Sequence, residues 1–511
     1  MIPDQLQHQI PALIVLTPLV LGLITALIGR RGLGWWIAML ASLLVFAGSI
    51  QLLIDVMHSG TYTVSYLMGN WPVPYGIEYR IDPLNGGVLC TVALISAAVT
   101  LFARRSVASE VSRDRLHFFY AVWLFCQTGL LGITITGDAF NLYVLLEISS
   151  LATYTLVAMG KGRDRRALTA AINYLVLGTI GASFILLGIG FLYMVTGTLN
   201  MMDMAERLDA IYITWGTAEP QYQKTVLTGF AFLFVGVSLK LALFPLHTWL
   251  PNAYTYAPAA VSALLAATAT KVGAYISIRF IYTIVGTDAA FRGAIPTHVF
   301  IMVSAGMAIL LGSYLAIKQD NVKKILAYSS IAQIGYIALG FALDNKNGLT
   351  AAVIHIFNHA LTKGGMFMAL GVVAYRLGNT RLQDLRGLGR KLPVSMGAFT
   401  AGGLGLIGVP LTAGFVSKWY LVTGAIEAGR YEMAAIVLVG SLLAVVYVWR
   451  VVETIYFGKR DEGAPNVQEA PITMLVPMLL LIGASIYFGV DANTTSWIAE
   501  AAAETLLGVQ P

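Results

Sequence analysis

The chain has 511 residues, 57% of them hydrophobic and 11% charged, with a net charge of +6 and a mean hydropathy of +0.75. Soluble domains carry roughly 25% charged residues, so a water-soluble globular fold is excluded, and apolar runs of about 20 residues, the length of a bilayer-crossing helix, recur from end to end. The class is an all-α polytopic membrane protein, whose positive balance reflects basic cytoplasmic loops rather than a nucleic-acid partner.

In chain order, fourteen apolar segments are predicted to span the membrane: 10–29, 34–56, 81–103, 117–136, 139–158, 168–197, 224–245, 253–284, 298–316, 322–343, 350–375, 394–426, 431–456 and 471–489. No small-residue cleavage pattern follows the first, which therefore reads as a retained helix and not a signal peptide. Residues 57–80, with Trp71, Pro72, Pro74 and Gly76, read as an ordered turn region. Residues 198–223 read as an acidic outer loop containing Asp203, Glu206, Asp209 and Glu219. The run WIAEAAAETLLG after the last span reads as a short amphipathic helix. No linker or low-complexity tract divides the chain, so one integral unit is expected.

Charge tests the count. With the loop of Arg30 and Arg31 placed in the cytoplasm, the alternating inner loops hold 21 of the 32 Lys and Arg residues, as the positive-inside rule requires. The outer loops hold Arg80, Arg207, Lys224, Arg292, Lys346 and Arg430, and Lys240, Lys271, Arg279, Lys363 and Lys418 fall inside spans. A missed helix would scramble this alternation, so both termini are expected outside. Cys90 and Cys126 lie far apart with no CxxC pair, and no Gly-rich nucleotide loop follows a strand. No redox cluster, metal or other cofactor is expected on this chain.

A charge near the bilayer centre costs several kcal/mol or more, so such residues pair, face a cavity or carry function. Glu147, in NLYVLLEISSLATY, is either a protonated acid hydrogen-bonded to a neighbouring helix or the ionised partner of a lysine. Lys240 lies in FVGVSLKLALFPLHTWLP, followed by Pro245 and His247. Burial favours its neutral amine and an anionic neighbour its ammonium, so it can exchange a proton as its partner moves, which an arginine cannot do. Pro245 removes a backbone donor; it is either a simple kink or the break of a discontinuous transporter helix. Lys271, in LLAATATKVGAYIS, sits mid-span among small residues. His355, His359 and Lys363, in HIFNHALTKGGMF, are spaced i, i+4, i+8 and so form one helical stripe. The first histidine is followed by Ile356, so the glutamate of a zinc-protease HExxH is missing, and a lysine in the stripe opposes a metal. Titratable groups one turn apart suit proton hopping through waters. Lys418, in GVPLTAGFVSKWYL, follows Pro410 and Gly414 in a second long, interrupted span. Two broken helices with embedded lysines, five spans apart, indicate an inverted internal duplication.

With these residues in view, the chain resembles the antiporter-like family shared by Mrp-type multisubunit cation/proton antiporters, the proton-pumping arm of respiratory complex I and membrane-bound hydrogenases. The resemblance is carried by NLYVLLEISSLATYTL, SLKLALFPLHTWLPNAY, DNVKKILAYSSIAQIGYIALG, HIFNHALTKGGMF, LQDLRGLGRKLP and GFVSKW, in the family's order over roughly residues 115 to 425. It implies fourteen transmembrane helices with two inverted five-helix repeats and broken helices 7 and 12. The units would be 1–114 (helices 1–3), 115–284 (helices 4–8), 298–456 (helices 9–13) and 471–511 (last helix and tail). It further implies a proton relay of Glu147, Lys240, His247, Lys271, His355, His359, Lys363 and Lys418, with Tyr336, Ser330 and Gln333 holding waters. Glu147 and Lys240 would modulate each other's charge, and Lys418 would be the terminal exchanging lysine.

The lysine at helix 12 differs from the glutamate of one complex I paralogue. The chain's end soon after the last span leaves no room for the extensions of the distal complex I paralogue or the largest Mrp paralogue. The segment GNWPVPYGIEYRIDP resembles the D-type Mrp antiporter proteins and their relatives. The resemblance thus implies a proton-translocating subunit of a Na+/H+ antiporter in a prokaryotic-type inner membrane. Its partners would be other integral membrane subunits, antiporter-like paralogues among them. The alternative is the proton-pumping membrane subunit of a complex I-like or hydrogenase-like redox enzyme. A stand-alone solute carrier is disfavoured, since the polar axis offers titratable groups and no evident pocket for a larger substrate.

Overall fold

The computed structural model describes residues 8–29, 32–162, 164–213, 220–286, 293–460, 463 and 465–508. In hydrocarbon every backbone polar group must be satisfied within the protein, and apolar runs of this length do so by coiling. The helices are α1 (Ile10–Ile28), α2 (Leu33–His58), α3 (Pro83–Glu110), α4 (Leu116–Ile135), α5 (Ala139–Ala158) and α6 (Arg166–Thr196). An outer helix α7 (Met201–Ile213) precedes α8 (Pro220–Leu241), α9 (Leu250–Tyr256), α10 (Ala259–Ala267) and α11 (Ala269–Ile278), which runs into a π-helical turn at Arg279–Ile284. Then follow α12 (Thr297–Ile317), α13 (Val322–Ala342), α14 (Lys346–Leu377), α15 (Pro393–Ile407), α16 (Ala413–Glu427), α17 (Tyr431–Phe457), α18 (Ile472–Val490) and α19 (Asn493–Leu506).

Among the described residues, twelve helices are long and apolar enough to cross a membrane. The two other segments counted from the sequence are helical too. They are α14, made more polar by its histidines and lysine, and the α15–α16 pair, cut by a break.

Three interruptions shape the interior. The first follows Lys240: α8 stops at Leu241, Ala242 takes φ +60°, and the chain turns through Pro245 before α9. The second separates α15 from α16, with Gly408 at φ +85° and Leu411 at φ +70°. Both lie in the spans expected to be broken. The third, at Thr268 (φ −125°, ψ −55°), splits α10 from α11 inside the eighth span, where an uninterrupted helix was expected. That span also starts later than predicted, because Pro258 holds Ala257 extended (ψ 156°) and so ends α9 at Tyr256.

Two outer loops are more ordered than the sequence reading allowed. The 57–80 turn region contains an antiparallel hairpin, β1 (Val64–Leu67) with β2 (Glu78–Ile81), in register Val64 opposite Ile81. Within 198–223, read as loop, α7 forms because Met201, Met204, Leu208 and Tyr212 make a buried helical stripe and Asn200 accepts from the amides of Met202 and Asp203. The two loops are joined where Glu78 accepts from Ser65 Oγ (2.6 Å) and Asn200 Nδ2 (2.9 Å). Arg30, Arg31, Arg163, Glu219 and Arg292, which enter the charge reading, lie outside the described residues.

Arg279, one of the in-span cations, pairs with Asp82 at 2.5 Å with both side chains buried. Asp82 also caps α3 in a reciprocal arrangement with Asn85, so the pair fastens the start of α3 to the π turn. Removing one partner of a buried pair costs about 3–5 kcal/mol because the other charge is left uncompensated. Asp82→Ala is therefore expected to lower the thermal midpoint of the detergent-solubilised protein clearly. The double variant Asp82→Leu/Arg279→Met recovers most of that loss, whereas equal midpoints for Asp82→Ala and wild type would show the pair to be dispensable.

Candidate functional site

Lys240 closes the last turn of α8 and reaches across to α5. Its Nζ donates to Ser150 Oγ at 2.6 Å and Tyr154 Oη at 3.5 Å. Glu147 lies one turn before Ser150 on α5, yet Lys240 is not in contact with it and its Oε1 is buried without a hydrogen-bond partner. Ser150, one turn from Glu147, takes the lysine in its place. Glu147 thus occupies the ground between the two sequence readings: it makes neither an ion pair nor a hydrogen bond through that oxygen. At the break itself the carbonyl of Leu239 accepts from Trp249 Nε1 at 2.9 Å as well as from the amide of Ala242 at 3.2 Å. His247 is buried and stacked on Phe244, with ring centroids 5.0 Å apart and Nδ1 unpartnered.

Lys271 is fully buried in the first turn of α11. The break at Thr268 exposes the last carbonyls of α10, and the Lys271 amine donates to that of Ala266. The sequence reading missed this break because no proline or glycine marks it; the only local signal is the β-branched Thr268 and Thr270 in AATATK. Gly273 then lets α11 rest on the end of α8: a Cβ there would lie 3.0 Å from the Leu241 backbone and 3.2 Å from the Lys240 carbonyl carbon.

His355, His359 and Lys363 line one face of α14 and are all buried. His355 Nε2 meets Gln333 Oε1 at 2.9 Å and Nδ1 meets Ser417 Oγ at 2.8 Å. An amide oxygen only accepts, so with this Gln333 orientation Nε2 carries the proton and Ser417 donates to Nδ1. His359 stacks on His355 with centroids 5.8 Å apart, and neither of its nitrogens has a partner. Lys363 donates to the Leu326 carbonyl at 2.7 Å and to Ser329 Oγ, both on α13. Lys271 and Lys363 both lie within electrostatic reach of His359.

Lys418 lies near the start of α16 and uses all three donors: the carbonyls of Leu406 and Ile407 and Ser441 Oγ, each at 3.0 Å. The two carbonyls end α15, so the ammonium sits on the negative end of that helix. Its Nζ also lies 4.6 Å above the Tyr336 ring, whose centroid is 5.8 Å from that of His355. Gly414 makes this seat reachable, because a Cβ there would overlap the Gly405 carbonyl oxygen. Ser150, Tyr154, Ser329, Ser417 and Ser441, which hold the titratable groups, were not assigned these roles from the sequence. Helical spacing gives no sign of which hydroxyl meets a lysine on another helix. Of the expected water-holding residues, Gln333 and Tyr336 border His355, and Ser330 Oγ donates to the Leu326 carbonyl that also receives Lys363. Among the described residues, no three His, Cys, Asp or Glu side chains are grouped to hold a metal.

A family described as NADH:quinone oxidoreductase/Mrp antiporter, transmembrane, matches residues 136–444, more than half of the chain, and the chain belongs to it. It is 42% identical over 486 residues to the N-type NADH-quinone oxidoreductase protein of Desulforudis audaxviator (strain MP104C), covering 92% of this chain and 94% of that protein. It is 31% identical over 452 residues to the D-type Na(+)/H(+) antiporter protein of Bacillus subtilis (strain 168), covering 88% and 87%. Among solved structures, a chain of the Mrp complex from Dietzia sp. DQ12-45-1b shares the fold with a TM-score of 0.87 at 23% identity, over 98% of both chains. A chain of the membrane-bound sulfane sulfur reductase, an archaeal respiratory membrane complex, gives 0.87 at 29% identity, covering 99% and 98%.

The Gly414 contact generates a sharp expectation. Gly414→Ala forces α16 away from α15 and unseats Lys418 from its two carbonyls. Proton flux in proteoliposomes is expected to fall at least tenfold while the chain still inserts; wild-type flux would show that the seat is not needed.

Proposed function

We propose that this chain is a proton-translocating membrane subunit of a multisubunit complex. Protons would pass through two half-channels joined by the Glu147, Lys240, Lys271, His359, His355, Lys363 and Lys418 axis, with His247 beside the first break. The observation that carries this reading is the succession of buried titratable groups from α5 through α14 to α16. Each is either seated on hydroxyls and carbonyls or left with an unpartnered polar atom. His359 and one Glu147 oxygen have no protein partner, which leaves them free to bind water or exchange a proton. The repeats at 115–284 and 298–456, and termini on the outer side, belong to this same reading.

For the parent complex, two readings assign this chain the same work. The D-type member of an Mrp Na+/H+ antiporter is supported by the 69–83 segment and by the antiporter relatives. A redox-driven complex is favoured by the higher identity to a quinone oxidoreductase protein, 42% against 31%. Mass spectrometry of what co-purifies with a tagged chain in mild detergent separates them. Small membrane proteins and a larger antiporter-like paralogue indicate the first; iron–sulfur, nickel or flavin proteins indicate the second.

Lys240→Ala and Lys418→Ala are each expected to abolish proton transport without loss of assembly, and normal transport by either would refute the relay. Glu147→Gln is expected to impair coupling, because a neutral amide exerts no net charge on Lys240. Lys418→Arg is expected to fail as well, since a guanidinium holds its proton; an active arginine variant would reduce Lys418 to an electrostatic role.

A further inference from the structure

A polar cavity of about 430 Å³ opens among the loops predicted to be cytoplasmic. Its walls include Glu110, Arg166, Thr255, Lys323, Asn379 and Arg381, contributed by the ends of α3, α9 and α14, the start of α13, the loop after α14 and the start of α6. At a water's share of roughly 30 Å³ it holds on the order of ten waters. Neither broken-helix lysine is among its lining residues.

Two of its residues reach inward. Lys323 is buried and donates to the carbonyl of Ala257 at 3.1 Å and to Ser262 Oγ at 3.2 Å. Both carboxylate oxygens of Glu110 accept from the amide of Ala259, at 3.1 and 3.2 Å, the first residue of α10. Every residue of α10 is buried, and its far end supplies the Ala266 carbonyl that receives Lys271. On α13, Lys323 precedes by one turn the Leu326 carbonyl, and by two turns the Ser329 hydroxyl, to which Lys363 donates. At a rise of about 1.5 Å per residue, Lys323 and Ser329 are separated by roughly 9 Å along the helix, a distance that a row of about two hydrogen-bonded waters covers.

We propose that this cavity is the cytoplasmic port of the central part of the axis, with Lys323 as its innermost exchanging group, passing protons between cavity water and Lys363. Glu110 acts as a positioning residue: it fixes the start of α10 beside the port. The assignment rests on the relay reading and adds to it where the centre meets bulk water, and through which residue. Lysine suits that post because it binds and releases a proton, whereas an arginine in its place keeps the positive charge and releases no proton.

The test uses the complete complex in sealed vesicles of known orientation. Thr255→Cys and, separately, Asn379→Cys are treated with a membrane-impermeant charged methanethiosulfonate, and proton flux is compared before and after labelling within each variant, with the unsubstituted chain as control. Reagent on the cytoplasmic face is expected to cut flux at least fivefold in both variants and reagent on the opposite face to have no effect. Lys323→Arg is expected to lose flux at least tenfold with assembly intact. Full labelling without loss of flux, inhibition only from the opposite face, or wild-type flux in Lys323→Arg each overturns the port. Lys418→Ala is measured alongside: if it is inactive while the port experiments fail, the port alone falls. If Lys418→Ala is also active, the relay reading falls with it.

Discussion

A protonated amine inside a bilayer must find acceptors within the protein, and the rest of this structure depends on that requirement. An unbroken helix offers few, since each of its carbonyls already accepts from the amide four residues on and has only its second lone pair to give. The chain answers in two ways. At α10–α11 and α15–α16 the helix is interrupted and the freed carbonyls receive Lys271 and Lys418. At Lys240 and Lys363, serine hydroxyls on a facing helix do so, with a carbonyl also taking part at Lys363. The breaks are therefore part of how charge is tolerated, and not only hinges.

This solution makes packing and electrostatics inseparable. A lysine reaches a carbonyl on a neighbouring helix only if the two backbones come unusually close. Gly414 against Gly405 and Gly273 against the end of α8 supply that closeness. The same closeness excludes lipid from the axis. The buried groups then feel one another strongly, since charge interactions weaken far less in the interior than in water. His359 sits within electrostatic reach of two buried lysines, and neither of its ring nitrogens has a protein partner. On the proposed function, a proton arriving at either end would change the cost of holding one in the middle, which is the physical content of a relay.

Much of this was legible in the sequence. Hydropathy and loop charge located the spans, and the in-span Glu, Lys and His residues stood out because an apolar context makes each improbable unless it is used. Pro245 and Pro410 marked two breaks, since proline forbids the local hydrogen bond whatever the surroundings. The break at Thr268 was not legible, because it carries no proline or glycine. Nor was the partnering of Lys240 with Ser150 in place of Glu147, which depends on a helix 90 residues away in sequence. The α7 helix could have been read from its Met201, Met204, Leu208 and Tyr212 spacing, but its acidic residues drew it into a loop assignment.

The central claim is that protons cross the middle of the axis through His359, whose ring nitrogens have no structural bond to lose. The most direct test is proton flux of the intact complex carrying His359→Phe, a ring of similar size that stacks on His355 and carries no exchangeable proton. The account predicts normal assembly with flux reduced at least tenfold. Flux equal to wild type from an assembled His359→Phe complex would contradict it.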